Sequence, residues 1–182
     1  MDNFSDGNFS ENFKNHLFES ITLKDNDSVL DIGCGNGTFL MRMAKLKNIV
    51  GYGIDISPKM IENAKELSPS FNFAVSDCEN IPFSDNSMDI ITVCAAHHHF
   101  PNIGAFAKEA NRLIRGGGSI YIVDFYLPIP FGYFTNVFAP LSVEHDVQYY
   151  SIKELVNIFS SVGFRKVRKI KKGHIQIVSL KA

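Results

Sequence analysis

The sequence predicts an α/β fold in three layers. A mostly parallel seven-stranded sheet is covered by helices on both faces and closed by a C-terminal antiparallel hairpin. Three observations predict it. Short apolar runs alternate with amphipathic helical patterns from residue 28 to residue 125, the order of repeated βα units. The run over 89–95 is apolar almost throughout, as expected of a strand buried on both faces. The last two runs are separated by Lys171-Lys172-Gly173, a connection that joins antiparallel neighbours because a parallel crossover needs far more chain.

The elements follow in order. Phe9, Phe13, Leu17 and Ile21 recur every four residues and predict a helix over 9–23, with Ser10 as its N-cap. A strand over 28–32 leads to a helix over 37–47, then a strand over 49–54. Ser57-Pro58 places a capping hydroxyl before a proline at the first helical position, so a helix runs over 58–67. Strands over 71–75 and 89–95 precede a helix over 103–115 that carries Phe106, Ala110, Leu113 and Ile114 on one side and ends at Gly116-Gly117-Gly118. After a strand over 119–125, Ser151 and Glu154 form a capping box. The helix it starts has Leu155, Ile158, Phe159 and Val162 on one face, and Gly163 follows as the residue after the C-cap. Strands over 164–170 and 174–180 complete the chain.

The 182 residues suit one domain, 1–182, with 1–24 as an N-terminal helical lid and 126–150 as an insertion capping a substrate site. The hydrophobic share of 45% and charged share of 20% are those of a globular protein, and a net charge of −1 offers nucleic acid no general attraction. Cys34, Cys78 and Cys94 are odd in number and sit in predicted core or loop positions, so reduced thiols and a cytoplasmic setting are expected. The polar, acidic start is unlike a signal peptide, and no apolar run is long enough to insert in a membrane. Residues 165–172 hold six basic side chains in eight, read as a solvated strand and hairpin turn on which lysine discourages edge pairing, with an RNA surface as the alternative.

The most informative segment is Val29-Leu30-Asp31-Ile32-Gly33-Cys34-Gly35-Asn36-Gly37. An apolar run meets an acid and then a loop with glycine at every second position, where backbone can approach a ligand closely. A second acid, Asp55, ends the next apolar run, where a carboxylate can accept hydrogen bonds from two ribose hydroxyls. Together these point to an adenosine-containing cofactor. Ligands of such sheets bind at the carboxyl ends of the strands, where Asp31 to Gly37, Asp55, Asp77 and residues 95–100 all fall.

These motifs resemble those of the class I S-adenosylmethionine-dependent methyltransferases, and most of all the small-molecule branch that includes the ubiquinone and menaquinone biosynthesis methyltransferases. The glycine loop is similar to that family's first motif, and Gly53-Ile54-Asp55-Ile56-Ser57 to its second-strand motif. Ser76 to Phe83 looks like its adenine-binding segment, and His98-His99-Phe100-Pro101-Asn102 stands where the family often has a His-His pair. Arg112-Leu113-Ile114-Arg115-Gly116-Gly117-Gly118 resembles the turn before its fifth strand. The resemblance implies a Rossmann-like fold, S-adenosylmethionine as cofactor and a small, partly apolar methyl acceptor.

It also implies roles. The loop through Gly33, Cys34, Gly35 and Gly37 would pass under the methionine part and ribose, with Asp31 facing the ammonium directly or through water. Asp55 would take the ribose hydroxyls, Asp77 the adenine amino group and the Cys78 N–H a ring nitrogen. Ile56 and Met60 would cover the adenine, and the Ala95 carbonyl would meet the ammonium. Against these stand ordinary structural readings: a loop or cap carboxylate at Asp31, a turn carboxylate at Asp77, and small packing residues at Cys34 and Cys78.

His97-His98-His99 invites a metal reading, but adjacent residues of an extended segment point to alternate sides, so no metal is expected. By the family resemblance His98 is the better candidate for a general base, against packing of the cofactor loop, and alignment of nucleophile, methyl and sulfur supplies rate without any base. His98, His99, Tyr126, Phe131 and His145, with Asp146, are the expected acceptor-pocket residues. The insertion that supplies the last four has two competing readings, a cover over core surface or a dimer interface, and both monomer and homodimer remain open.

Two rivals differ in kind. A nicotinamide dehydrogenase wants glycine at the sixth position of its fingerprint, where this chain has Thr38. A non-catalytic protein could bind S-adenosylmethionine on the same core. The segment after 89–95 has neither the Asn/Asp-Pro-Pro-Tyr/Phe of amino-directed DNA methyltransferases nor the Pro-Cys of cytosine C5 enzymes.

Overall fold

A computed structural model of the chain describes residues 6–96, 99–125 and 150–182. Seven strands, β1 (Ser28–Ile32), β2 (Val50–Asp55), β3 (Asn72–Val75), β4 (Met88–Cys94), β5 (Ile114–Phe125), β6 (Arg165–Lys172) and β7 (Ile175–Lys181), form one sheet in the order β3-β2-β1-β4-β5-β7-β6. The first five are mutually parallel, and β7 is antiparallel to both β5 and β6. The described helices are α1 (Asp6–Ser20), α2 (Thr38–Ala44), α3 (Pro58–Leu67), α4 (Ile103–Leu113) and α5 (Ile152–Ser161).

Alternation along the strands divides the core in two. Val29, Ile90, Tyr121 and Val123 face α1, α2 and α3, where they pack with Phe13, Leu17, Phe39, Leu40, Met43 and Ile61. Leu30, Ile32, Ile91, Val93 and Ile122 face the other way, onto Phe106, Ala110, Leu113, Leu155 and Phe159 of α4 and α5. The chain has sixteen phenylalanines and no tryptophan, and several of the phenylalanines lie here. Phe100, Phe106, Phe159 and Phe164 form an edge-on chain with centroids 4.9, 6.0 and 5.6 Å apart. Burying each such ring contributes about 2–3 kcal/mol, and edge-on geometry adds to that.

Several expectations are met at the residue. Ser57 caps α3 by accepting from the Met60 N–H, with Pro58 next, and α3 spans the expected residues. Ser151 and Glu154 form the reciprocal capping box of α5. Gly163 follows α5 with φ +114°.

Three expectations are corrected. Ser10 lies within α1 rather than capping it. The three glycines do not end α4, because the helix stops at Leu113 and Ile114 already pairs with Met88 of β4. The next aligned pair is Ile90 with Ser119, so residues 115–118 bulge out of β5, with the Gly117 N–H and Gly118 O bonded to Ala182 (3.3 and 3.1 Å). Finally, Lys171 and Lys172 belong to β6, and the hairpin turns at Gly173-His174. Lysine tolerates a strand edge, whereas Gly173 adopts φ +57°, which is why the turn falls there.

The sheet order sets where a ligand can lie. β1 is flanked by β2 on one side and β4 on the other, so the chain leaves β1 and β4 towards opposite faces and a crevice opens at their carboxyl ends. Among the described residues no helix is long and apolar enough to cross a membrane.

Candidate functional site

The crevice begins where β1 runs into residues 33–37. Gly33, Gly35 and Gly37 have φ of +69°, +54° and +76°, a left-handed backbone that side chains resist. A Cβ at Gly33 would stand 2.9 Å from the Ala96 Cβ, and one at Gly37 would stand 2.8 Å from the Phe73 ring. At Gly35 a Cβ would meet nothing within 4 Å, so the loop backbone there borders open space. Cys34 points inward. It is buried, its sulfur lies 2.8 Å from where a Cβ on Gly53 would stand, and burial pushes its thiol far above the ordinary range. Its side chain packs, and its N–H donates to Ile54 O (2.9 Å).

Two acids stand at this loop. Asp31 is 3% exposed and aligned in register with Thr92 of β4, whose hydroxyl donates to Asp31 Oδ1 (2.7 Å). Burial pushes the Asp31 carboxyl up to about 7, against the opposing pull of the Thr92 hydrogen bond and of Lys14 on α1. Asp55 raises it further by like charge. Asp55 ends β2 and accepts the Gly35 N–H on Oδ2 and the Ser57 N–H on Oδ1, both at 2.9 Å. The acid therefore ties the glycine loop to the start of α3, and each oxygen keeps acceptor capacity for one more donor. Among the described residues no lysine or arginine nitrogen is bonded to either acid.

On the β2–β3 side, Ile56 is 77% exposed and Met60 is 43% exposed, apolar surface beside Asp55. Asp77 follows β3, and its Oδ1 accepts the N–H groups of Glu79 (2.8 Å) and Asn80 (2.9 Å). The turn reading of Asp77 thus holds for that oxygen, while Oδ2 has no bond among the described residues. Cys78 is buried, and burial pushes its thiol up to about 12.

At the end of β4, Ala95 has φ +50° while its N–H donates to Val123 O (2.8 Å). Left-handed backbone at a non-glycine residue costs about 1–3 kcal/mol and concentrates at ligand sites. His99 is exposed, and its N–H donates to Ala96 O (3.1 Å). His97, His98, Tyr126, Phe131, His145 and Asp146, and with them the proposed base and most of the acceptor wall, lie outside the described residues. Among the described residues no three His, Cys, Asp or Glu side chains group as ligands of a metal ion.

Sequence reading missed Thr92 and Lys14. Thr92 carries a faint signal, one hydroxyl in the otherwise apolar Ile90-Ile91-Thr92-Val93. Lys14 carries none, because only the packing of α1 brings it near Asp31.

Comparison with known proteins gives the family. Residues 30–122, just over half of the chain, match the family described as methyltransferase domain. The chain is 29% identical over 166 residues to 27-O-demethylrifamycin SV methyltransferase of Amycolatopsis mediterranei, covering 88% of this chain and 52% of that protein. It is 37% identical over 106 residues to 2-methyl-6-phytyl-1,4-hydroquinone methyltransferase of Synechocystis, covering 57% and 33% respectively. It spans about half the length, or less, of these curated relatives. Among solved structures it is similar to the YcgJ protein of Bacillus subtilis, with TM-score 0.76 and 25% identity, over 88% of this chain and 72% of that one.

Proposed function

The chain belongs to the methyltransferase-domain family, whose cofactor is S-adenosylmethionine, and we propose that it transfers the cofactor's methyl group to a small, partly apolar acceptor and releases S-adenosylhomocysteine. One observation carries the reading: two carboxylates, Asp31 and Asp55, flank an open glycine loop and neither is bonded to a basic side chain among the described residues. A cationic ligand with an ammonium relieves both the burial of Asp31 and its repulsion by Asp55. A dinucleotide would bring a pyrophosphate to the glycine loop beside the buried Asp31 and add like charge there.

The residues then take distinct parts. Asp31 receives the ammonium, opposite the Ala95 carbonyl. Asp55 accepts the ribose hydroxyls while still holding the Gly35 N–H. Asp77 Oδ2 and the Cys78 N–H take the adenine edge, and Ile56 and Met60 cover its faces. S-adenosylmethionine supplies an electrophilic methyl on a sulfonium, so alignment in a dry site is the main task left to the protein. His98 is the proposed base for the acceptor's proton. In this reading His98 and His99, with Tyr126, Phe131 and His145 of the 126–150 segment, would line the acceptor pocket, and residues 1–24 would serve as its lid. Relatives named for a phytyl hydroquinone and a demethylrifamycin support a small-molecule acceptor that is partly apolar.

The test is calorimetric titration with S-adenosylmethionine, S-adenosylhomocysteine and NAD in parallel, followed by a methyl-transfer screen of hydroquinones and phenols. Micromolar affinity is expected for the two adenosyl ligands, with none for NAD. A well-folded protein that ignores both adenosyl ligands would falsify the reading. Binding without turnover on any acceptor would leave a cofactor-binding protein of the same fold.

A further inference from the structure

The connection from β3 to β4, residues 76–87, crosses β2 and β1 without any helix. An irregular crossing lacks the ladder of a helix or strand, so part of its backbone polar groups need side-chain partners. It finds them on α4. Glu109 Oε2 accepts the Ile81 N–H (3.1 Å). Arg112 Nη2 donates to Ile81 O and Nη1 to Phe83 O, both at 2.9 Å, and Nη1 also reaches Asp85 Oδ1 (2.6 Å). The same guanidinium is locked onto Glu109 through Nε (2.9 Å) and Nη2 (2.7 Å). All three guanidinium nitrogens are used, in a planar fork that a lysine could not reproduce. The pairing with Arg112 also holds the Glu109 carboxyl below the usual range.

Upstream of this clamp lies a small self-bonded turn. The Ser76 hydroxyl bonds the carbonyls of Asp77 (2.9 Å) and Asn80 (2.8 Å), while Asp77 Oδ1 takes the N–H groups of Glu79 and Asn80. The turn is one unit, pinned at its start by the Ser76 N–H on Asp55 O (3.1 Å) and at its end by Ile81. We propose that Arg112 and Glu109 are positioning residues for the cofactor's adenine, setting from α4 where Asp77 and the Cys78 N–H stand. The inference rests on the reading that these two groups meet the adenine.

The test compares S-adenosylhomocysteine with S-inosylhomocysteine, in which the adenine amino group is replaced by oxygen, on wild type, Arg112→Met and Lys47→Met. Lys47 pairs with Asp25 away from the crossing and serves as control. Wild type and control should prefer the adenosyl ligand. In Arg112→Met its affinity should fall about tenfold, the worth of one or two hydrogen bonds, while the inosyl ligand loses less, so that the preference collapses. A folded Arg112→Met with unchanged preference, or with equal loss for both ligands, overturns the inference and leaves the clamp a contact of the fold. If Arg112→Met does not fold, Glu109→Gln and Asp85→Ala decide the matter by the same ratio. A smaller loss of preference is expected in both, and no loss in either overturns the inference. Wild type that binds neither ligand would instead sink the cofactor reading beneath it.

Discussion

The two ends of the sheet carry left-handed backbone in different ways. At the amino end, the turns into β1 and β4 place Asn26 and Asn86 at φ +69° and +50°. Asparagine is among the few residues that tolerate this, through its short polar side chain. Polar groups there are satisfied within the chain. Asp89 accepts the Ser28 N–H (2.8 Å) and pairs with Arg115, and the N–H groups of Asn86 and Ser87 reach Arg112 O and Leu113 O. At the carboxyl end the same conformation falls on Ala95, whose methyl gives nothing back, and beside it Asp31 is buried with no basic partner bonded to it among the described residues. The amino end is built to be closed. The carboxyl end holds strain and an ill-paired acid in place, which is the pattern of a surface awaiting a ligand.

The largest expected break in this contrast is Asp55→Ala, which removes the proposed acceptor of the ribose hydroxyls and unties the Gly35 N–H. Affinity for S-adenosylhomocysteine should fall by about 100-fold, measured by calorimetry. A loss under threefold would move the ribose elsewhere.

Asp31→Asn sharpens the contrast by pH. The Asp31 carboxyl titrates near 7 in the folded protein against 3.8 for an ordinary aspartate, so between those values the native state holds a proton that the unfolded chain has lost. The stability this group contributes is complete below about pH 4 and is lost as pH rises towards 7. The ligand-free Asn variant should therefore match wild type at pH 4 and melt about 5 °C higher at pH 8. Wild-type affinity for S-adenosylhomocysteine should rise as pH passes 7, and that of the variant should be weaker and flat. Parallel melting curves across the range would refute the buried-acid account.

Smaller effects separate the two left-handed sites. Ala95→Gly should stabilise the ligand-free protein by about 0.5–1 kcal/mol, while Asn86→Ala should cost about 1 kcal/mol. Chemical denaturation measures both, and equal signs would erase the distinction between the ends. The least effect belongs to Lys47→Ala at the amino end, where loss of an exposed ion pair should leave the melting temperature within about 1 °C.

Much of the fold was legible because its signals are local. The apolar runs located all seven strands to within a few residues except β5, and Ser57-Pro58 and the Ser151–Glu154 box fixed two helix starts. β5 was misjudged because Gly116-Gly117-Gly118 reads as a helix stop, whereas only pairing with β4 and with Ala182 makes the segment a bulge. In the candidate site, the glycines and Asp31, Asp55 and Asp77 were legible as a string of acids and turns at strand ends. Thr92, Lys14 and the Arg112–Glu109 clamp were not, since each acts on residues 17 to 61 positions away. The strain at Ala95 leaves no compositional trace at all.

The place of β7 has a consequence for the order of assembly. β7 lies between β5 and β6, so the ribosome delivers β6 before the strand that joins it to the sheet. Through that interval β6 has no neighbour and both edges bare, the state in which nascent chains associate wrongly. Its six basic residues in eight repel a second copy of the same strand. β7 alone connects β6 to the rest of the sheet, so β6 joins it only with β7 or after it, and the two-residue turn at Gly173-His174 makes that pairing local.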